Sequence, residues 1–387
     1  MQRRDWFRVV LVVVSAVILV NVVPALIYAA RSDEGFVQAG ATWARDHGYG
    51  VIVDRIEHWR YSDPPSAKPA SQLGVSDEVL ALVPTATTVP PKESTPTSVA
   101  PVATTGTTTT TTWAPPPLVP VRDEPLPGEG QWLPILELGD RNVAWVTSIR
   151  PLVDYGSVRA TYVRFDPSLM RAVLYNGSAI PGGNDWIDYR RVQGEALRTL
   201  LLTFNGGFRF EHTEGGYKVQ GIVTEPLVDG QASLAIDVDG KVTIGVYGRD
   251  LVDGPEWVSI RQNLPPIVDG RSSGVNPSNR GWWGSDYGGV TYVPRSAICD
   301  MGDGTLLWAI VGDTDADGLA TALVDAGCET GMQLDINGTW PHFAVYGGLG
   351  ELDRAPVVVD RRMGNHGRYL KDSEKDFFAF FVDPDAR

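Results

Sequence analysis

Residues 232–247 have the sequence "ASLAIDVDGKVTIGVY", and their pattern indicates the fold of the region around them. Apolar and β-branched residues stand on either side of Asp239-Gly240 with the spacing of half-buried strands. Glycine supplies the positive φ that a tight hairpin turn requires. The stretch therefore predicts two antiparallel strands joined by a short turn.

Similar strand-like runs continue through residues 131–387, which we interpret as one domain. They include "TLLLTFN" at 199–205, "TLLWAIV" at 305–311 and "GMQLDI" at 331–336. Only 188–197 and 319–327 have a helical pattern, and the second ends in glycine, a common helix C-terminus. We predict an α+β domain with a large, mostly antiparallel or mixed β-sheet and few short helices.

The N-terminal region predicts a membrane anchor. Residues 9–30, "VVLVVVSAVILVNVVPALIYAA", carry no charge and are numerous enough to cross a bilayer. Arginines in residues 1–8 place this end in the cytoplasm, so the main domain of a single-pass cell-membrane protein would be extracytoplasmic. A cleaved signal peptide is the alternative, although its apolar run is usually shorter.

Two further segments separate the anchor from the domain. Residues 31–62 predict a partly helical juxtamembrane segment. Residues 63–130 are rich in Thr and Pro, a composition typical of a disordered, extended linker. We expect this linker to hold the domain away from the membrane.

The charge and the cysteine content restrict the partners and the cellular compartment that we expect. Lys and Arg total 33 against 47 Asp and Glu, a net charge of −14. Binding of nucleic acid through its phosphates needs a basic face, so we expect no nucleic-acid partner. Cys299 and Cys328 are the two cysteines of the chain. Outside the cytoplasm they would form a disulfide; two buried free thiols are the alternative.

Polar residues follow one predicted strand in "TFNGGFRFEHTEGGYKVQG", residues 203–221. Asn205, Gly206 and Gly207 stand at the strand end, where glycines let a ligand approach the backbone and an amide can donate and accept hydrogen bonds. A glycine turn capped by Asn205 is the alternative. The charged or titratable residues that follow are Arg209, His212, Glu214 and Lys218.

The segment "GDTDADG", residues 312–318, suggests calcium by one interpretation. Asp313, Asp315 and Asp317 match the first half of an EF-hand loop, but Val324 stands where the bidentate glutamate belongs. In the alternative interpretation, Asp317 caps a helix whose positive end favours acids. No other cofactor is predicted.

Two further loops contain candidate ligand contacts. In "NPSNRGWWGSDYGG", residues 276–289, Trp283 and its aromatic neighbours either stack on sugar rings or fold back over the core. In "MQLDINGTW", residues 332–340, Asp335 and Asn337 follow a strand. Asp335 is either a turn residue or part of a site.

The order of four motifs resembles that of the phosphodiester glycosidase family over residues 154–382. These motifs are "TFNGGF", "PPIVDGR", "PRSAICDMGDGTLLWAIVGD" and "DGLATALVDAGCETGMQLDINGTW". Residues 205–208, 295–297 and 334–335 match the family pattern. Residues 336–339, Ile-Asn-Gly-Thr, depart from it, since the family has glycines and serine there.

The resemblance implies a hydrolase that cleaves a glycosyl phosphodiester in an envelope glycan or glycolipid. Asp335 would act as nucleophile or base, because a phosphate leaving group needs little protonation. We expect Asn205, Arg295 and Asp335 to converge in one pocket. The other implied roles are phosphate contact by Arg209 and Arg295, sugar contact by Asn205 and Asn337, and reserve acid or base chemistry by Glu214 or His212.

Two other functions fit the same residues. A non-catalytic glycan-binding domain on a stalk would keep the fold without hydrolysis. An exopolysaccharide-processing glycosidase would need a second carboxylate about 5–10 Å from Asp335.

Overall fold

The computed structural model describes residues 22–31, 40, 43–44, 47, 49–82, 113–181, 189–284, 292–347, 355–364 and 366–384. Its helices are α1 (Val23–Arg31), α2 (Gly50–Tyr61), α3 (Asp77–Leu82) and α4 (Ala316–Asp325). Its strands are β1 (Leu133–Leu138), β2 (Arg141–Ile149), β3 (Ala160–Phe165), β4 (Met170–Tyr175), β5 (Leu200–Asn205), β6 (Tyr217–Val219), β7 (Ile222–Glu225), β8 (Ala232–Asp237), β9 (Val242–Val246), β10 (Trp257–Gln262), β11 (Val268–Asp269), β12 (Ser272–Ser273), β13 (Val293–Asp300), β14 (Leu306–Thr314), β15 (Thr330–Ile336), β16 (Phe343–Val345), β17 (Val357–Val358) and β18 (Phe377–Val382).

The strands form three sheets. The large sheet has the order β1-β2-β3-β14-β13-β15-β11-β12, the second sheet β7-β6-β10-β8-β9, and the third sheet β17-β16-β5-β18-β4. Every strand pairing among the described residues is antiparallel. The prediction of a mostly antiparallel domain with few short helices is confirmed, and its mixed-sheet variant is wrong.

The hairpin predicted at 232–247 is confirmed. Strands β8 and β9 pair in regular register from Ala232 opposite Val246 to Ile236 opposite Val242. Gly240 in the turn has φ 78°, a left-handed conformation that costs glycine little. The Asp-Gly turn therefore sets this register.

Side-chain alternation along β14 creates a core on each face of the large sheet. Trp308 and Ile310 belong to an inner core, which lies between the large sheet and the other two sheets. Leu307 and Ala309 belong to a helix-side core that also contains Leu319 of α4. Because successive residues of a strand point to opposite faces, one apolar run can supply both cores.

Helix α4 confirms the prediction at 319–327 but begins three residues earlier. The side chain of Asp315 accepts a hydrogen bond from Gly318 N at 2.8 Å, which caps the helix. The predicted helix at 188–197 is a short 3-10 turn, Gly194–Arg198, in the described part of that range. Gly194, the first residue of this turn, has φ 63°, outside the right-handed helical region, so a regular α-helix cannot run through it.

Residues at both ends of the predicted linker, 63–130, pack onto the domain. On one side Val79 is fully buried in the inner core, and Ser76 Oγ donates to Val358 O at 2.5 Å. On the other side Glu129 forms a buried ion pair with Arg150 at 2.6 Å. Residues 83–112 lie outside the described residues, so a linker there stays a prediction.

The predicted membrane anchor falls mostly outside the described residues, which begin at 22. Helix α1, Val23–Arg31, covers its end. Among the helices of the described residues, none has both the length and the apolar character needed to cross a membrane. The anchor and the localisation that it implies stay predictions.

Candidate functional site

A β-bulge near the end of β15 directs the side chain of Asp335. Opposite β13, Ala297 pairs with Gln333 and Arg295 pairs with Ile336, so β15 has one extra residue between the two pairs. Gln333 contacts Trp283 O, and Ile336 packs on the helix-side core. The extra residue turns the Asp335 carboxylate away from the helix-side face of the large sheet. The carboxylate points instead toward Lys375, which precedes β18 of the third sheet.

Asp335 and Lys375 form a buried ion pair. Lys375 Nζ donates to Asp335 Oδ2, and each side chain is only 8% exposed. Asp335 Oδ1 accepts from Ile336 N at 3.0 Å, and Lys375 Nζ lies 4.5 Å from the centroid of the Trp340 ring. Because removing charges from water is costly, the close partner and the ring face offset part of that cost.

A second cation lies at the same ring. The guanidinium carbon of Arg368 is 5.5 Å from the centroid of the Trp340 ring, and its Nη1 donates to Thr339 O at 2.8 Å. Arg368 is buried, and its Nε has no hydrogen-bond partner among the described residues. Two cations against the single carboxylate of Asp335 make this region suited to an anionic ligand.

His212 is the predicted reserve residue that lies close enough to Lys375 to be affected by its charge. Burial lowers the pKa of His212, and the charges of Lys375 and Arg209 lower it further, while Glu211 opposes them. The imidazole is therefore neutral near pH 7, as proton acceptance requires. Glu214, the other reserve residue, is exposed.

The side chain of Asn205 connects three segments through hydrogen bonds. Its Oδ1 accepts from His342 N, and its Nδ2 donates to Ser296 Oγ and to Gly206 O, all at 3.0 Å. Ser296 Oγ in turn donates to Asp335 O at 2.7 Å. Because its oxygen and both hydrogens are engaged, Asn205 supports the position of Asp335 rather than making the predicted sugar contact.

The two glycines after Asn205 allow other side chains of the protein to pack closely against the backbone. A Cβ at Gly206 would lie 2.3 Å from Asp376 Oδ2, and a Cβ at Gly207 would lie 3.0 Å from Asn263 Oδ1. Asp376 forms a fully buried ion pair with Arg261 at 2.8 Å. Side chains of the protein therefore occupy the space beside Gly206 and Gly207 where a ligand was expected.

Arg295 lies on the other face of β13 from Ser296. It is fully buried, and its Nε donates to Thr314 O at 2.8 Å and its Nη1 to Trp283 O at 2.7 Å. Burial lowers its pKa to about 10, so it stays charged near neutral pH. Asn205 is connected to the backbone of Asp335 through Ser296, whereas strand alternation directs the Arg295 side chain to the helix-side core. The three side chains therefore do not face one another as predicted.

Three other predicted ligand contacts have different roles. Trp283 is buried and donates from Nε1 to Pro265 O at 3.0 Å, so it folds back over the core. Asn337 has φ 94° and accepts from Thr339 N and Trp340 N at 2.8 and 3.0 Å, as in an Asx turn. Arg209 pairs with Glu211, with Nη1 3.9 Å from Oε1, and is not a member of the Asp335–Lys375 pair.

The three aspartates predicted as calcium ligands have separate roles in the structure. Asp315 caps α4, Asp317 pairs with Arg280 at 2.5 Å, and Asp313 is exposed. The described residues include no group of three or more acids, histidines or cysteines that could hold a metal ion. The calcium interpretation of 312–318 is therefore wrong, because the helix cap and the ion pair disperse its ligands.

Cys299 and Cys328 form a disulfide in the helix-side core, with Cα atoms 5.6 Å apart. It links the end of β13 to the residues between α4 and β15. These are the elements that carry Ser296 and Asp335. Of the two interpretations of the cysteines, the structure has the disulfide.

Sequence analysis missed Lys375, Arg368, Trp340, Ser296 and the Arg261–Asp376 pair. The available signal was weak. Lys375 and Asp376 are charged residues directly before the apolar strand "FFAFFV". Their burial follows from contacts with Asp335 and Arg261, which lie 40 and 115 positions away. No local pattern encodes contacts at that separation.

Comparisons with known proteins give low similarity. No protein-family model and no curated protein matches the chain. The catalytic domain of zebrafish N-acetylglucosamine-1-phosphodiester alpha-N-acetylglucosaminidase, auto-inhibited by pro-peptide, is 15% identical with a TM-score of 0.39, over 62% of this chain and 82% of that chain. A hypothetical protein from Synechocystis is 11% identical with a TM-score of 0.36, over 61% of this chain and 64% of that chain. Similarity at this level assigns no family.

Proposed function

We propose that this protein is a membrane-anchored, extracytoplasmic hydrolase that cleaves a glycosyl phosphodiester. The observation that carries the proposal is the buried carboxylate of Asp335 beside Lys375, at a bulged strand end and against the ring of Trp340. The resemblance of the sequence motifs to the phosphodiester glycosidase family supports the same reaction class. The apolar segment 9–30 and the disulfide support an anchor and an oxidising compartment.

The carboxylate and the cations would have separate tasks. Asp335 would accept a proton from water as the water oxygen bonds to the anomeric carbon and the bond from that carbon to the phosphate oxygen breaks. The phosphate leaves as a monoester, which is a weak base compared with an alcohol, so no strong general acid is needed. Lys375 and Arg368 would stabilise the negative charge on the departing phosphate.

Substrate would rearrange the ion pair. Without ligand, Lys375 neutralises Asp335. A phosphate bound at Lys375 and Arg368 would share the ammonium, which leaves the Asp335 carboxylate available to water. His212, neutral near pH 7 because burial lowers its pKa, would carry the proton onward.

A glycan-binding function without hydrolysis is the second candidate. It is favoured by the buried ion pair of Asp335 with Lys375, which neutralises the one carboxylate that hydrolysis would use. A glycosidase with two working carboxylates has less support. The nearby Asp376 is held by Arg261 in a fully buried pair.

The test is incubation of the purified full chain with sugar-1-phosphodiesters that differ in sugar and aglycone. Mass spectrometry of the products should detect a free sugar together with a phosphate monoester in equal amounts. Retention of glycan with no release from any ester would favour the binding function instead.

A further inference from the structure

Residues 61–82 are bound to the domain along much of their length. Tyr61 O accepts a hydrogen bond from Tyr292 N at 3.0 Å, at the end of α2. Ala70 N donates to Gly156 O at 2.8 Å, and helix α3 then packs into the inner core. This part of the chain therefore belongs to the domain and is not a free linker.

The Thr/Pro-rich residues 83–112 have the domain at both of their ends. Helix α3 precedes them, and Trp113 follows them with its ring centroid 5.7 Å from the guanidinium carbon of Arg164. A segment whose two ends lie on one domain cannot set the distance of that domain from the membrane. The distance is set instead by the residues between the predicted anchor, 9–30, and Tyr61.

The tether that remains is short. Residues 31–49 span at most about 65 Å when fully extended. The 12 residues of α2 add only about 18 Å, because a helix rises about 1.5 Å per residue. A domain on this tether stays close to the bilayer, which raises the effective concentration of lipid at any surface near α2. Weak contacts with lipid are then sufficient for docking.

Helix α2 presents apolar side chains to water on one face. Ile52 and Ile56, four residues apart, are 58% and 59% exposed, and the neighbouring Val51 is 79% exposed. Arg55 is exposed on the same face, four residues after Val51. Val53, which points away from this face, is buried. A bilayer surface suits this combination, because apolar side chains enter the acyl-chain boundary while an arginine reaches the lipid phosphates.

We propose that this face of α2 docks on the bilayer surface, with Ile52 and Ile56 at the acyl-chain boundary and Arg55 at the lipid phosphates. The proposal rests on the membrane anchor of the proposed function and does not depend on hydrolysis. The domain then lies against the membrane, whereas the composition of residues 63–130 alone predicts a stalk that holds it away.

Fluorescence quenching of the full chain in phospholipid vesicles tests the docking. The native cysteines form a buried disulfide, so a single added cysteine can be labelled with a fluorophore. With brominated acyl chains, the label at Ile56→Cys should lose about half of its fluorescence, since an interfacial helix lies about 5–10 Å deep. Val252→Cys is the matched control, because Val252 is also 59% exposed but lies between β9 and β10 of the second sheet. Its label should keep its fluorescence.

Two further measurements allow the proposals to fail separately. Flotation with the vesicles measures the anchor, and release of sugar from a soluble ester measures hydrolysis. An unquenched label at Ile56→Cys in protein that floats, or equal quenching at Val252→Cys, would overturn the docking and leave the anchor intact. Protein that does not float would overturn both. A disulfide between two Ile56→Cys chains, with no quenching, would assign the face to a second copy instead. Val51→Cys provides another label position if Ile56→Cys fails to fold.

Discussion

Lys375 Nζ donates a hydrogen bond to the Asp335 carboxylate across two sheets, from the residue before β18 to the end of β15. Both side chains are buried, and the ring of Trp340 covers the ammonium. The pair concentrates one carboxylate and one cation where the bulge of β15 interrupts the sheet. This contact joins the third sheet to the large sheet.

Replacement of Lys375 tests its role as a phosphate contact. Lys375→Met should lower kcat/KM for a sugar-1-phosphodiester by about 100-fold, the usual effect of losing one group that stabilises transition-state charge. Lys375→Arg should restore part of the rate. Lys241→Met is the control, because Lys241 also pairs with an aspartate, Asp383, but away from the site. An equal loss in both methionine variants would argue against a specific role.

The Arg261–Asp376 pair predicts a large stability effect. Arg261→Met should lower the free energy of unfolding by about 3–5 kcal/mol, because it leaves a buried carboxylate without its partner. Arg191→Met should change it by only about 0–1 kcal/mol, since the Arg191–Asp372 pair is exposed. Urea denaturation of both variants measures the difference, and similar values would contradict the buried pair.

Gly206 is predicted to be required for packing. Gly206→Ala places a methyl group 2.3 Å from Asp376 Oδ2, so it should lower the free energy of unfolding by about 1–3 kcal/mol, the usual cost of overpacking. Gly338→Ala is the matched control, because a Cβ there meets nothing within 4 Å. Thermal denaturation compares them. An unaffected Gly206→Ala protein would contradict this close packing.

His212 predicts a pH dependence of stability. Burial lowers its pKa in the folded state, so below about pH 6.5 the unfolded chain takes up a proton that the folded chain takes up only at lower pH. The free energy of unfolding should therefore decrease as pH falls through this range. His212→Gln should show a smaller decrease between pH 7.5 and 5.5 in urea titrations. Identical decreases would assign the effect to other groups.

Sequence alone predicted the features that local pattern encodes. The Asp-Gly hairpin and α4 follow from turn chemistry and helical spacing, and the position of Asp335 after a strand follows from the apolar run. The bulge that turns Asp335 toward Lys375 depends on pairing with β13, which has no local signature. For the same reason, the fully buried Arg295 could not be distinguished from a phosphate contact.

Hydrolysis by the Asp335→Asn variant tests the central claim most directly. The variant keeps the shape of the side chain but removes the carboxylate that accepts the proton. We expect release of sugar from a phosphodiester that the parent protein cleaves to fall by about 10³-fold or more. Because the variant leaves the buried Lys375 without its counter-ion, its melting temperature should fall, unlike that of Asp239→Asn, an exposed acid in the β8–β9 turn. The rates are therefore compared at a temperature where all three proteins are folded. An Asp335→Asn protein that hydrolyses the ester at the parent rate would contradict the account.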